Sequence, residues 1–128
     1  MTVSPIDLYS AAIRLAGERQ AQHTERRFDA VLSGWHIMAF RAETSDDSHA
    51  DHWEMHPGAD EVVTCLSGAI RMYFRADDTG DDEEVPLAEG AAVIVPRGRW
   101  HRIEVDVPSD ILAVTVLENT QLQARANA

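Results

Sequence analysis

The order of hydrophobic and polar positions predicts one N-terminal helix followed by a series of short strands. A Ser-Pro pair at positions 4 and 5, with Asp7 two residues later, has the chemistry of a helix N-cap and first turn. Apolar residues then recur at helical spacing up to Gly17, namely Ile6, Tyr9, Ile13 and Ala16. We therefore expect a single amphipathic helix before the strands begin.

From Val31 onward the helical period gives way to alternation, which is typical of strands with one buried face. Three sets of residues share a face by this alternation: His36, Met38 and Phe40; Ile70, Met72 and Phe74; His101, Ile103, Val105 and Val107. The last set points the imidazole of His101 into the core. Many short strands separated by turns favour a sandwich or barrel, so the predicted fold class is all-β with one helix.

The composition narrows the classes of function. The 128 residues fit one domain, and 45% hydrophobic residues suffice for a core. With 22 acidic against 11 basic residues the net charge is -11, which argues against nucleic acid and anionic membranes as partners. No apolar run approaches the ~20 residues of a membrane span, and the first residues lack a signal-peptide pattern. We therefore expect a cytoplasmic protein.

Two absences restrict the chemistry further. The sequence contains no lysine, which excludes Schiff-base chemistry and a P-loop mechanism. Cys65 is the only cysteine, so an internal disulfide and a thiolate zinc site are excluded as well. Any metal in this chain has to be held by imidazole and carboxylate groups.

The stretch HWEMHPGADEVVTCLSG, residues 52–68, places ionisable side chains where a core is expected. Alternation puts Glu54 and His56 on one face of a strand, and Glu61 follows a Pro-Gly turn. An isolated buried carboxylate costs several kcal/mol unless it is paired, protonated or bound to a metal. A barrel interior that gathers these three residues with His101 therefore indicates one divalent cation.

Imidazole and carboxylate ligands together suit Fe(II), Mn(II), Zn(II), Ni(II) or Co(II), and the sequence does not choose among them. The alternative is an empty barrel in which Glu54 and Glu61 hydrogen-bond to the two histidines. Seven further residues are candidates to contact these ligands or to line a pocket: His52, His36, Met38, Phe40, Cys65, Met72 and Phe74.

Two motifs resemble those of the cupins. The pattern E-x-H-x4-E-x6-G that begins at Glu54 is similar to the first cupin motif, G-x5-H-x-H-x3,4-E-x6-G. The pattern G-x5-P-x-G-x2-H that begins at Gly90 is similar to the second, G-x5-P-x-G-x2-H-x3-N. Three positions depart from the motifs, because Ser48 stands at the first glycine, Glu54 at the leading histidine and Val105 at the final asparagine.

The resemblance implies a double-stranded β-helix, or jelly-roll barrel, whose strands close around a site. It places His56, Glu61 and His101 at ligand positions of the family, with Glu54 in place of the leading histidine. The expected organisation is an N-terminal helix and linker over residues 1–30, the barrel over 31–118 and a C-terminal tail over 119–128.

Three functions fit these observations. The resemblance implies a small metal-dependent enzyme, such as a dioxygenase, isomerase or lyase, acting on a small organic molecule. The alternative is a non-catalytic barrel that binds or senses a small molecule and has an empty or vestigial metal site. Similar single-barrel cupins are commonly dimers, so we expect a homodimer, and a structural role in that dimer is the third function.

Overall fold

The structure is a computed structural model that describes residues 2–17, 19–26, 33–76 and 80–126. Its strands, in chain order, are β1 (Ala11–Ala16), β2 (Gln20–Glu25), β3 (Trp35–Ala42), β4 (His52–Met55), β5 (Glu61–Phe74), β6 (Glu83–Ala88), β7 (Ala92–Val95), β8 (His101–Val116) and β9 (Gln121–Ala124). One 3₁₀ turn, Ser45–Ser48, is the only helical element of the described residues. The all-β prediction is confirmed. None of the described segments forms a helix long and apolar enough to cross a membrane.

All nine strands belong to one sheet. The sheet curls on itself because the long strands β5 and β8 each pair with different strands along the two halves of their length. These strands are 14 and 16 residues long. The C-terminal part of β8 pairs with β3 on one side and with the start of β5 on the other, so that Ala113 lies opposite both Met38 and Val63. The N-terminal part of β8 pairs with the end of β5 and, at His101, with β4.

The core lies inside the curl and follows from the alternation along the long strands. Side chains of β5 alternate between the two faces on either side of an irregularity at its middle, and Val63, Cys65, Ile70, Met72 and Phe74 are at most 3% exposed. They pack in one cluster with residues of the neighbouring strands: Ala42, Leu87, Val95 and Ile111. This apolar packing holds the strand ends that carry the candidate site.

The predicted N-terminal helix is wrong. Residues 11–16 form β1 instead, which pairs with β2 in a hairpin and with β3. The polar residues before it do make a turn, in which Asp7 Oδ1 accepts a hydrogen bond from Tyr9 N at 2.9 Å and the Asp7 carbonyl accepts one from Ala11 N, also at 2.9 Å. Asp and Ser residues are common in turns as well as at the start of helices, so they do not decide between the two. The residues that follow form a strand because β3 has an edge with which they can pair.

The C-terminal segment also contains regular structure. Within the predicted tail, Gln121–Ala124 forms β9, which pairs with β4 residue by residue from His52 to Met55. The strand follows a turn in which Thr120 N donates to the carbonyl of Leu117 at 3.1 Å. The division of the chain into residues 1–30, 31–118 and 119–128 stays a prediction.

Gly68 allows β5 and β8 to bend together at the middle of the curl. Its φ is +90°, and a Cβ at this position would lie 2.2 Å from Ser109 Oγ and 2.7 Å from the carbonyl oxygen of Pro108. The register of the two strands also shifts between Cys65 and Ile70. Only glycine combines this backbone conformation with so close an approach.

We expect Gly68→Ala to lower the free energy of unfolding by more than about 2 kcal/mol, because it adds backbone strain and a steric clash at one place. Gly17→Ala is the matched control, since a Cβ there meets nothing within 4 Å. Urea unfolding followed by circular dichroism measures both changes. Equal stability of the two variants would contradict this account of the bend.

Candidate metal centre

Three strand termini bring the candidate ligands together. Glu54 lies on β4 directly opposite His101, the first residue of β8. His56 follows β4, and its carbonyl accepts a hydrogen bond from Gly98 N at 3.0 Å, which ties this segment to the turn before β8. Glu61 is the first residue of β5. The site therefore lies where β4 ends and where β5 and β8 begin.

The donor atoms of these four residues all lie within 4.8 Å of one another. His56 Nε2 is 2.9 Å from Glu54 Oε1 and 3.3 Å from Glu61 Oε2. His101 Nε2 is 3.1 Å from the other oxygen of Glu61. Each imidazole thus turns its Nε2 toward the carboxylates, and the ring centroids of the two histidines are 5.3 Å apart.

The other nitrogen of each ring is held by a neighbouring oxygen. His56 Nδ1 is 2.9 Å from Thr120 Oγ1, and His101 Nδ1 is 3.0 Å from the carbonyl oxygen of Arg99. Because a carbonyl oxygen only accepts, His101 Nδ1 carries the hydrogen of that bond. In the neutral ring, Nε2 then presents a lone pair to Glu61, and this repulsion is relieved only by a proton or a cation between the two groups.

Three of the four side chains in the group are buried. The side chains of His56, Glu61 and His101 are 2%, 7% and 4% exposed, whereas that of Glu54 is 41% exposed. His56 Nε2 is also buried without a hydrogen bond of acceptable geometry, although it lies within ion-pair distance of two carboxylates. His56 Nε2 and the carboxylate oxygens are thus close together but not aligned for a hydrogen bond. This geometry indicates that these atoms point toward a common centre between them.

The charges of the group are strongly coupled in the absence of an ion. Burial lowers the pKa of His56, but the carboxylates of Glu54 and Glu61 outweigh burial and raise this pKa to about 10. Burial raises the pKa of Glu61, but His101 and His56 outweigh it and hold the pKa at about 2. Burial likewise lowers the pKa of His101, and Glu61 reverses the direction and raises it.

The residues fit a divalent cation. Ligand atoms about 2.1 Å from one ion lie about 3.4 Å apart in a tetrahedral site and at most about 4.2 Å apart in any geometry, so separations of up to 4.8 Å have to shorten by roughly 1 Å, which small side-chain rotations provide. Two neutral histidines, two carboxylates and one divalent cation also sum to zero charge, which a buried site requires. Two imidazole nitrogens with two carboxylate oxygens form a donor set that suits Mn, Fe, Co, Ni or Zn.

A cavity of about 260 Å³ opens beside the group. Glu54, Glu61 and His101 contribute to its wall. Two strands supply much of the apolar lining, through Met38 and Phe40 on β3 and Ile111 and Ala113 on β8. The cavity therefore combines apolar side chains with several polar groups, which is the common composition of small-molecule sites.

The sequence analysis predicted seven further residues near the site, and in the structure some of them line the cavity and others lie in the hydrophobic core. Met38, Phe40 and His52 line the cavity. Cys65, Met72 and Phe74 belong to the main hydrophobic cluster and do not line it. His36 is 1% exposed and lies next to the cavity, opposite Thr115 across the β3–β8 pair.

Three residues near the site escaped the sequence analysis. Thr120 holds His56, and its position could not be read from the sequence because β9 was not predicted. Arg26 and Thr115 line the cavity as well. Arg26 directly follows β2 and Thr115 lies near the end of β8, so both residues are outside the two motifs. Alternation along β8 gives a weak signal for Thr115, which shares the parity of the buried Ile111 and Ala113.

The fold and the His/Glu group define an all-β barrel protein suited to hold one metal ion. The chain matches the model of the cupin domain family over residues 42–116, more than half of its length. It therefore belongs to the cupin family. No curated protein matches the chain.

Solved structures of similar fold include both proteins of simple architecture and larger enzymes. A cupin-2 domain containing protein from Shewanella frigidimarina has a TM-score of 0.50 and 18% identity, over 64% of this chain and 70% of that one. The hydroxypropylphosphonic acid epoxidase of S. wedmorenis has a TM-score of 0.52 and 20% identity, over 63% and 43%. The hydroquinone 1,2-dioxygenase of Sphingomonas sp. TTNP3 has a TM-score of 0.50 and 18% identity, over 64% and 59%.

At these identities the likeness shows the fold. The present chain spans less than two thirds of the length of either enzyme.

The charge coupling predicts how the metal-free protein responds to pH. The folded-state pKa of His56, about 10, lies above the ordinary 6.5, so the stability from its extra proton is complete below pH 6.5 and is lost as the pH rises toward 10. We expect the free energy of unfolding to fall over this range by up to about 1.4 kcal/mol per pH unit. Urea unfolding in the presence of EDTA measures this loss.

The corresponding variant is His56→Gln, in which most of this decline disappears. His23→Gln, which changes an exposed histidine of β2, is the control and keeps the wild-type pH dependence. A decline of the same size in His56→Gln and in wild type would show that another group causes it.

Proposed function

We propose that the protein binds one divalent metal ion through Glu54, His56, Glu61 and His101 and uses it to transform a small organic molecule. The observation that carries the proposal is the orientation of the two imidazoles. Each Nδ1 is already engaged by an oxygen of the protein, and each Nε2 faces a buried carboxylate. This arrangement is typical of histidines that are held in place as metal ligands.

The two glutamates have different parts in this proposal. Glu61 is buried between both histidines and is a permanent ligand. Glu54 is partly exposed, lines the cavity and stands where the family motif has histidine, so its carboxylate is the one that a ligand in the cavity can reach. Glu54 would complete the ligand set of the ion or, when not bound to it, would act as the general base toward a molecule in the cavity.

A bound divalent ion supplies Lewis acidity and open coordination positions toward the cavity. The protein contributes the rest. His56 and His101 are locked by Thr120 and the Arg99 carbonyl, so no rearrangement of the rings is needed on binding. The apolar wall excludes water from the reacting group. Two of the fold neighbours, an epoxidase and a dioxygenase, are enzymes of small organic molecules, which supports the class of function.

A non-catalytic barrel without metal is the second candidate, because protonated histidines also neutralise the group. The contacts of 2.9, 3.1 and 3.3 Å between the histidines and the glutamates are ion-pair distances. Direct measurement of metal content distinguishes the two candidates.

Metal titration tests the proposal. We expect EDTA-treated wild type to take up about one equivalent of Co(II), Mn(II) or Fe(II), and saturation at 100 times Kd to add about 2.7 kcal/mol of stability. His56→Gln and His101→Gln remove a ligand each and abolish tight uptake, and Glu54→Gln weakens it. Elemental analysis after gel filtration and the visible absorption of bound Co(II) measure the uptake.

His23→Gln again serves as the control and retains uptake, because His23 lies on β2 away from the cavity. Circular dichroism establishes that each variant is folded. Folded wild type that takes up no divalent metal would exclude the metal-dependent function and favour the metal-free barrel.

Thr120→Val tests whether orientation of His56 matters for the ion. The change removes the oxygen that lies 2.9 Å from His56 Nδ1 but keeps the shape of the side chain. We expect metal affinity to fall about 10- to 100-fold, as for other groups that orient a ligating histidine. Thr64→Val, on β5 away from the group, is the control, and an equal effect of both changes would refute an orienting role.

A further inference from the structure

Three residues of the cavity wall have a polar side-chain atom that the described part of the protein does not satisfy. Arg26 Nε, Arg102 Nε and Thr115 Oγ1 are buried without a hydrogen-bond partner among the described residues. All three residues line the cavity. A buried polar group without a partner costs about 1–3 kcal/mol, so several of them around one small cavity indicate a bound molecule that supplies partners.

The guanidinium of Arg26 is held in a fixed position. Its Nη2 donates to the carbonyl oxygens of Leu8, Ala11 and Ala39, at 3.3 Å for Ala11 and 2.7 Å for Ala39. These bonds satisfy one nitrogen only, and the guanidinium forms no ion pair within the part of the chain that the structure describes. Arg26 therefore presents a positive charge and free N–H groups without needing to reorganise.

The other arginine and the aspartate of the wall already have partners. Arg102 pairs with Glu104 and stacks over Tyr73, 4.1 Å from the ring centroid. Asp47 Oδ2 accepts hydrogen bonds from the backbone of Glu43 and Thr44, at 2.8 and 3.3 Å. Of the two arginines of the wall, Arg26 is thus the one without an ion pair among the described residues.

Thr115 places another unsatisfied group close to the candidate ligands. It is 2% exposed and lies opposite His36, whose own Nε2 is also buried and unpartnered. On its other side β8 pairs with β5, where Val114 lies opposite Val62, the residue after Glu61. Thr115 and Glu61 both line the cavity.

Charge and volume restrict what can bind here. A divalent ion with two carboxylates and two neutral histidines carries no net charge, so attraction of an anion falls to Arg26. Apolar side chains supply a large part of the remaining wall, among them Met38, Phe40, Ile111 and Ala113. A volume of about 260 Å³ lies below the ~300–1,000 Å³ of sites for drug-sized molecules, so the ligand is small.

We propose that the ligand of this cavity is a small organic acid, whose carboxylate binds Arg26 and whose second polar atom bonds Thr115. This proposal gives the substrate class of the proposed function. It rests on that function only in taking this cavity as the place where the substrate binds. Recognition by Arg26 does not require the metal, so acid binding and metal binding are separable by experiment.

Calorimetric titration with paired probes tests the charge requirement without any assay of activity. 3-Hydroxybenzoate and 3-hydroxybutyrate, which carry a hydroxyl as the second polar group, are compared with their neutral analogues 3-hydroxybenzamide and 3-hydroxybutyramide, in EDTA-treated protein and in protein loaded with Co(II). We expect each acid to bind at least about tenfold more tightly than its amide in both states, as for a charge-assisted hydrogen bond. Equal affinity of acid and amide in wild type would overturn the proposal.

Two variants locate the groups. Arg26→Gln is expected to abolish the preference for acid over amide, whereas Arg97→Gln, which removes the same charge at an exposed position, keeps it. Thr115→Val is expected to weaken binding of acid and amide alike by about tenfold and to leave the melting temperature unchanged or higher, because the hydroxyl has no partner in the protein.

The outcomes separate this proposal from the proposed function. Acid preference that depends on Arg26 in a protein that takes up no metal supports the organic-acid ligand and excludes the metal-dependent function. Acid preference that appears only with Co(II) and persists in Arg26→Gln shows carboxylate binding to the metal, and it overturns the role of Arg26. Unchanged affinity in Thr115→Val overturns the role of Thr115.

Discussion

The buried carboxylate of Glu61 is the constraint on which the rest of the site depends. Its side chain is 7% exposed and lies between His56 and His101, which come from separate segments of the chain. An unpaired carboxylate at this depth costs several kcal/mol, so the end of β4 and the starts of β5 and β8 have to meet. The same requirement accounts for the acidic and imidazole groups that lie together at one cavity.

The outer face of these strands stabilises the same register. Neighbouring residues on a strand point to opposite faces, so His101 points inward only if Arg102 points outward. Arg102 pairs there with Glu104, and its guanidinium lies 4.1 Å from the ring centroid of Tyr73 and 5.2 Å from that of Trp53. This cluster joins β4, β5 and β8. A slip of one residue would lose both sets of contacts.

The interior departs from ordinary core packing at a few positions, and several of these positions lie at the cavity or at the candidate metal centre beside it. Arg26, Thr115 and His56 each have a buried polar atom without a well-formed hydrogen bond among the described residues. Folded proteins satisfy nearly all such groups. Exceptions that cluster in one place are expected at functional sites, where the missing partner is a ligand or an ion. The metal and the organic acid proposed here account for these groups together.

The local pattern of the sequence determined the all-β class, the inward direction of His101 and the four candidate ligands, because alternation and motif spacing are properties of short segments. The same local reasoning was wrong for residues 11–16, where an Asp-Ser turn suits a helix start and a strand equally and pairing with β3 favours the strand. Only the tertiary structure decided that Thr120 orients His56 and that Arg26 and Thr115 face the same cavity as Glu54 and Glu61. Those contacts join residues far apart in the chain, and they depend on how a long, bent sheet closes, which no local pattern encodes.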